Sequence, residues 1–167
     1  MTTRLLIPHP TLRRLGLIGW LALVFTVAAI GAAATIDAAA FYASLQKPTW
    51  APPAWVFGPV WSVLYGLMGV AAWLVWQSPR PRIAALGLFV AQLAANGLWS
   101  WLFFGWRWGA LASAEVLLLL VLIATTMRAF WSLNRLAAML LLPYLVWVGF
   151  ASALTWSIWQ ANPGLLT

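Results

Sequence analysis

Five long apolar stretches separated by short polar breaks dominate the chain. They run approximately from Leu15 to Ile36, Pro53 to Trp76, Arg82 to Phe104, Gly109 to Trp131 and Leu136 to Gln160. Each holds about 20 residues or more with few charges, enough for a helix to cross a hydrocarbon core of about 30 Å. The breaks between the last four read "QSPRPR", "GWRW" and "SLNR". Connections this short make neighbouring helices antiparallel. The pattern therefore predicts an all-α integral membrane bundle of five transmembrane helices, with no soluble domain. It spans residues 15–162, between a basic segment 1–14 and a short tail 163–167. No repeat of fixed period is visible.

The first run follows "MTTRLLIPHPTLRRLG" and leads to "AAAF", which is also the layout of a secretory signal. Its apolar part exceeds the ~7–15 residues of such a signal. Its small residues Ala28, Ala29, Gly31, Ala32 and Ala33 suit a helix packed on other helices, so it reads as a span.

Composition agrees with the pattern. Of 167 residues, 65% are hydrophobic and 7% charged, and the mean hydropathy is +0.94, whereas about a quarter of the residues of an average soluble domain are charged. The net charge of +7 reads as membrane topology and not as a nucleic-acid footprint. With five spans, Arg4, Arg13, Arg14, Arg80, Arg82, Arg128 and Arg135 fall on one side, and Lys47 and Arg107 on the other. Seven basic residues against two predict a multi-pass cell-membrane protein whose N-terminus is cytoplasmic and whose C-terminus is not. There is no cysteine, and His9 is the only histidine, which argues against a metal centre or a thiolate nucleophile.

Polar groups inside an apolar run need a reason in packing or in function. Gln92, Asn96, Trp99 and Phe103 share one face of the third run, with two carboxamides near its middle. Trp61, Tyr65 and Met68 recur at helical spacing in the second run, and Trp147, Ala151, Leu154 and Thr155 in the fifth. Two readings stay open: amides as glue between helices with aromatics filling the core, or the wall of a cavity that grips a flat, partly polar ligand. Trp50, Trp55, Trp76, Trp106, Trp108, Trp131 and Trp159 lie near span ends and read as interfacial belt residues. Glu115 reads as interfacial or packed, with Arg107 its nearest candidate partner; Asp37 reads as a solvated loop residue within reach of Lys47.

"FYASLQKPTWAPPAWVFGPVWSVLYGLMG", "AQLAANGLWSWLFFG" and "LLLPYLVWVGFASALTWSIWQAN" resemble, in this order, the signature regions of the TspO/translocator protein family, which includes the tryptophan-rich sensory proteins and peripheral benzodiazepine receptor-like proteins. The resemblance covers about residues 37–162. It implies five transmembrane helices, a homodimer in the lipid bilayer, and a pocket closed on one side by the loop between the first two helices. It also implies a receptor or carrier for porphyrins such as protoporphyrin IX and haem, as ligands and not as obligatory cofactors, with a stress-sensing regulatory role in some relatives. Carried over position by position, the ligand-lining residues are Trp61, Tyr65, Asn96, Trp99, Trp147 and Ala151. Gln92, Phe103, Met68 and Thr155 are secondary candidates.

Two alternatives to a binding role remain: light-dependent porphyrin breakdown, for which the sequence shows no acid/base pair, nucleophile or metal site, and a membrane scaffold acting through partner proteins. The leucine, tyrosine and arginine pattern linked to cholesterol in animal members reads Leu154, Trp156 and Gln160 here, which argues against a sterol role. Where animal members carry a proline pair, this chain has Ser100 and Trp101, so a different local helix geometry is expected there. In the first inter-helix loop, Pro48 and Pro52 restrict the chain to extended or turn geometry and Pro53 is placed to open a helix. Lys47, Pro48 and Trp50 are then expected at a stiff lid, with Lys47 facing a propionate or solvent.

Overall fold

A computed structural model describes residues 10–167. Its helices are α1 (Pro10–Ala33), α2 (Ala38–Ser44), α3 (Phe57–Trp76), α4 (Ile83–Ser100), α5 (Gly109–Leu133), α6 (Arg135–Leu140) and α7 (Leu142–Ala161). The described residues contain no strand. Five helical stretches are long and apolar enough to cross a membrane: Thr11–Ala33, Ala54–Trp76, Ile83–Gly105, Gly109–Leu133 and Arg135–Ala161. Each lies within a few residues of one of the five runs read from the sequence.

The ends of the domain differ from the sequence reading. The first helix already includes Pro10, inside the segment 1–14 read as a basic N-terminal segment. Arg4, His9 and the rest of residues 1–9 lie outside the described residues. Nor does the C-terminal tail hang free. Asn162 N donates to the Trp159 carbonyl, Leu166 N donates to the Asn162 carbonyl, and the Leu166 side chain is buried.

Local chemistry explains the irregular points. Pro53 is extended (φ −65°, ψ 150°) and leads into a single 3₁₀ turn, Ala54–Val56, before α3. Asn134 caps α6, its Oδ1 accepting from Ala137 N at 3.1 Å, which satisfies a free N–H of the first turn. The fifth run is two helices instead of one, because Pro143 cannot donate into the preceding turn and the chain breaks at Leu141. Ser113, Thr126 and Ser152 return their hydroxyls to the carbonyl four residues back, so none is left unpaired in the apolar interior.

The helices pack as α1 on α3 and α4, α4 on α5, α5 on α6 and α7, and α3 on α6. The main core gathers Met68, Phe89, Phe130, Ile123 and Tyr144, all fully or almost fully buried. Phe89 and Phe130 stack at 5.9 Å across α4 and α5. A second, smaller core lies towards the α1–α3 connection and joins Phe41 of α2 to Phe103, Leu154 and Ile158.

Helix α1 changes neighbours along its length. In its first half it lies against both α3 and α4. Leu21 and Val24 pack so closely on Gly69 that a Cβ there would stand 2.7 Å from Leu21 Cδ2; Trp73 Nε1 donates to the Arg13 carbonyl at 2.8 Å; and Trp20 meets the Phe89 ring edge-on. In its second half α1 keeps to α4. Val27 fits against Gly97, and Trp101 Nε1 donates to the Ile30 carbonyl at 3.2 Å. Parting from α3 while it keeps to α4, α1 leaves a wedge between its second half and the first half of α3.

Candidate functional site

A cavity of about 450 Å³ occupies that half of the bundle, within the usual size range of small-molecule sites. Trp61 and Tyr65 of α3, Asn96 and Trp99 of α4, and Trp147 and Ala151 of α7 all line it. Side chains far apart in sequence thus meet because three spans present their aromatic faces to one space. The Trp61 and Tyr65 rings lie 5.6 Å apart at 36°, and Trp147 meets Phe57 edge-on at 5.9 Å.

The polar atoms are few and placed at depth. Tyr65 Oη donates to Asn96 Oδ1 at 2.5 Å. This commits the amide oxygen, so the nitrogen is the donor that Asn96 retains. The indole N–H groups of Trp99 and Trp147 are buried without a partner. Buried donors normally find an acceptor, and these two have none within the protein.

The roof is made by α2 and the loop after it, with Tyr42 and Ala54 lining the cavity. Tyr42 Oη donates to the Pro52 carbonyl at 2.9 Å, tying the two ends of the roof together. Burial raises the Tyr42 pKa above its usual value. A second tie joins the roof to the end of α7: Gln46 N donates to Asn162 Oδ1 at 2.8 Å, and Asn162 Nδ2 donates to the Gln46 carbonyl at 2.9 Å.

The other sequence candidates fall outside the cavity lining. The Lys47 ammonium points back onto α2, donating to the carbonyls of Tyr42 at 2.6 Å and Leu45 at 2.9 Å. It satisfies the free carbonyls of a helix end and pairs with neither Asp37 nor the cavity. Pro48 and Trp50 belong to the roof loop without lining the space; Trp50 is half-exposed with its ring against Phe150. Gln92 and Met68 lie one turn deeper than Asn96 and Tyr65, fully buried where the helices close up. Thr155, one turn beyond Ala151, is buried beside the second core.

Phe103 is displaced for a specific reason. After Ser100 the helix widens into a π turn, Trp101–Gly105, in which Trp106 N bonds the Trp101 carbonyl five residues back at 2.7 Å. The wider turn rotates Phe103 behind the wall, where it stacks on Trp99 at 5.3 Å and 11°, and brings Phe104 to the cavity in its place. A different helix geometry was expected at Ser100 and Trp101; the exchange of one phenylalanine for the next was not.

Sequence reasoning also missed Phe25, Tyr42 and Phe57. They come from α1, the roof helix and the first turn of α3, and no shared periodicity connects them to the other walls. Glu115 is buried with both oxygens unpartnered; its expected partner Arg107 instead lies 4.5 Å over the Phe41 ring. Of the tryptophans read as belt residues, Trp50, Trp55, Trp106, Trp108 and Trp131 are indeed exposed by about half or more.

The wedge beside α1 makes the cavity open sideways. Gly58 and Ser62 on α3, and Phe25 and Ala32 on α1, line the space and are also exposed on the outside of the bundle. Phe25 stands at the inner end of the opening, 6.3 Å from the Tyr65 ring. In a membrane this side faces acyl chains.

Five spans, an aromatic cavity, a roof pinned at two points and a side opening define a multi-pass membrane protein built around an aromatic-lined internal space. The TspO/MBR family model matches residues 20–160, and the chain belongs to that family. The translocator protein of Homo sapiens is 42% identical over 128 residues, covering 74% of this chain and 76% of that protein. The tryptophan-rich sensory protein of Cereibacter sphaeroides is 40% identical over 147 residues, covering 86% and 92%. Protein CrtK of Rhodobacter capsulatus is 39% identical over 147 residues, covering 84% and 92%.

Proposed function

We propose that this protein is a membrane receptor or carrier for tetrapyrroles, with protoporphyrin IX or haem as the ligand class. The observation that carries the reading is the convergence of Trp61, Trp99 and Trp147, from three different spans, on one cavity with Asn96. Indole faces suit a planar macrocycle. The Asn96 nitrogen supplies a donor for its polar edge. A macrocycle dissolved in the bilayer would enter between α1 and α3 and leave its bulkier substituents in the opening. The carboxylate-bearing edge would find its donors at the cavity wall, since Lys47 is held by backbone carbonyls.

The reading includes the topology in which the N-terminus is cytoplasmic. Arg13, Arg14, Arg80, Arg82, Arg128 and Arg135 belong to one end of the antiparallel bundle and Lys47 and Arg107 to the other, an imbalance that orients membrane proteins. It also includes a homodimer in the cell membrane as the working unit.

The test is a titration of the purified protein with protoporphyrin IX, read by quenching of tryptophan fluorescence, beside a panel of sterols. Saturable binding to the porphyrin and none to the sterols is expected, weakened about tenfold or more by Trp61→Phe with Trp147→Phe. Unchanged affinity in a folded double variant would overturn the reading. Illuminating the complex adds a second readout: a spectrally new, protein-dependent product would make the site a catalyst of pigment breakdown and not only a receptor.

A further inference from the structure

A second concave site lies at the opposite end of the bundle, between the last two turns of α5 and the start of α6. It is a shallow groove of about 730 Å³ lined by Thr125, Met127, Arg128, Trp131 and Ser132 among others. We propose that this groove binds the headgroup of an anionic phospholipid, with the lipid phosphate on Arg128 of its lining and on Arg135, which lies outside the lining but over the ring of the lining residue Trp131.

This end of the bundle carries charge of one sign. Six arginines, Arg13, Arg14, Arg80, Arg82, Arg128 and Arg135, belong to it. The chain's two acidic residues do not: Asp37 precedes α2, and Glu115 lies in the second turn of α5. Glu115 and Arg128 are separated by 13 residues, about 20 Å along the helix. No carboxylate among the described residues neutralises this end, so its counter-charge has to come from outside the bundle.

Several of these arginines are already engaged within the protein. Arg13 is bonded to Gln77, Arg80 to the Ser132 carbonyl and Arg82 to the Ser78 carbonyl. Among the described residues, Arg128 and Arg135 have neither a hydrogen-bond acceptor nor an acidic partner. Both are exposed, and the Arg135 guanidinium is held 5.6 Å over the Trp131 ring. That contact holds the cation near the indole and leaves its N–H groups without an acceptor in the protein, free for a phosphate.

The surroundings of the groove select a lipid over a free anion. Trp131 is half-exposed, as an indole at the headgroup level would be. On the adjoining α6, Leu136 and Met139 are exposed by 59% and 48%. Acyl chains therefore begin where the arginines end. A phospholipid meets both at once, whereas inorganic phosphate meets only the cations. Basic pockets at the positively charged end of membrane bundles are suited to anionic headgroups.

The experiment compares the wild-type protein with Arg128→Gln/Arg135→Gln and with the control Arg14→Gln, an exposed arginine outside the groove. Each is reconstituted with mixtures of phosphatidylglycerol and phosphatidylcholine. Bound lipid is counted by native mass spectrometry, and unfolding temperature checks that each variant is folded. The wild type and the control are expected to retain phosphatidylglycerol about tenfold over phosphatidylcholine. The double variant is expected to lose that preference, and Arg128→Lys to keep most of it. Equal retention in the double variant, loss in the control to the same degree, or displacement of the lipid by millimolar inorganic phosphate would each overturn the proposal. The cavity contributes none of these residues, so failure of porphyrin binding would leave this result standing.

Discussion

Asn162 and Gln46 hold each other by two hydrogen bonds across 116 residues of chain. The Asn162 carboxamide takes the place of a backbone partner, accepting from Gln46 N at 2.8 Å and donating to its carbonyl at 2.9 Å. The same Nδ2 also donates to the Ile158 carbonyl at 2.7 Å. One buried side chain thus pins the cavity roof to the end of α7.

Asn162→Ala should release the roof without touching the cavity wall. Two backbone groups of Gln46 lose their partners, at about 0.5–1.5 kcal/mol for each hydrogen bond lost. Dissociation of a bound porphyrin is expected to quicken several-fold, and amide exchange over residues 45–52 to rise. Unchanged exchange there would show that the roof is held elsewhere.

Tyr65→Phe removes the donor to Asn96 and leaves a buried amide oxygen unpaired. A penalty of about 1–3 kcal/mol is expected, read as a lower unfolding temperature. Affinity should also fall, because the Asn96 side chain loses the bond that orients it. If stability falls and affinity does not, Asn96 plays no part in binding.

Gly109→Ala should destabilise the domain at the end of α7, next to the Asn162 tie that holds the roof. A Cβ at this position would stand 2.3 Å from Trp159 Cδ1 and 2.8 Å from Leu166 Cβ. Forcing a methyl group into such a contact costs about 1–3 kcal/mol. The unfolding temperature is expected to fall, and porphyrin release to quicken only as far as the Asn162 tie is disturbed. Truncation after Pro163 would relieve the contact with Leu166 and should recover part of the loss.

The roof should also respond to strong base. Burial raises the Tyr42 pKa above its usual 10.0, so the folded state favours the neutral phenol. The stabilisation it provides is complete below pH 10 and is lost as pH rises through the raised value. Faster porphyrin release is expected only above pH 10, together with phenolate absorbance that Tyr42→Phe removes. Ionisation of Tyr42 below pH 10 would contradict its burial.

Much of the protein was legible in the chain itself. Five apolar runs with short breaks determined five spans, because each run is long enough to cross the bilayer and too poor in polar groups to remain in water. Helical spacing placed Trp61 with Tyr65 and Asn96 with Trp99 on common faces, and the family motifs picked out the same positions with Trp147 and Ala151. Packing decided the rest. Phe104 replaced Phe103 because a π turn changed the winding after Ser100. Phe25 and Tyr42 joined the cavity because α1 parts from α3 along its second half and α2 folds over the end. Lys47 turned from the cavity to the free carbonyls at the end of α2. Periodicity reports which side of one helix is apolar; only the crossing of helices decides where two such sides separate enough to leave a space.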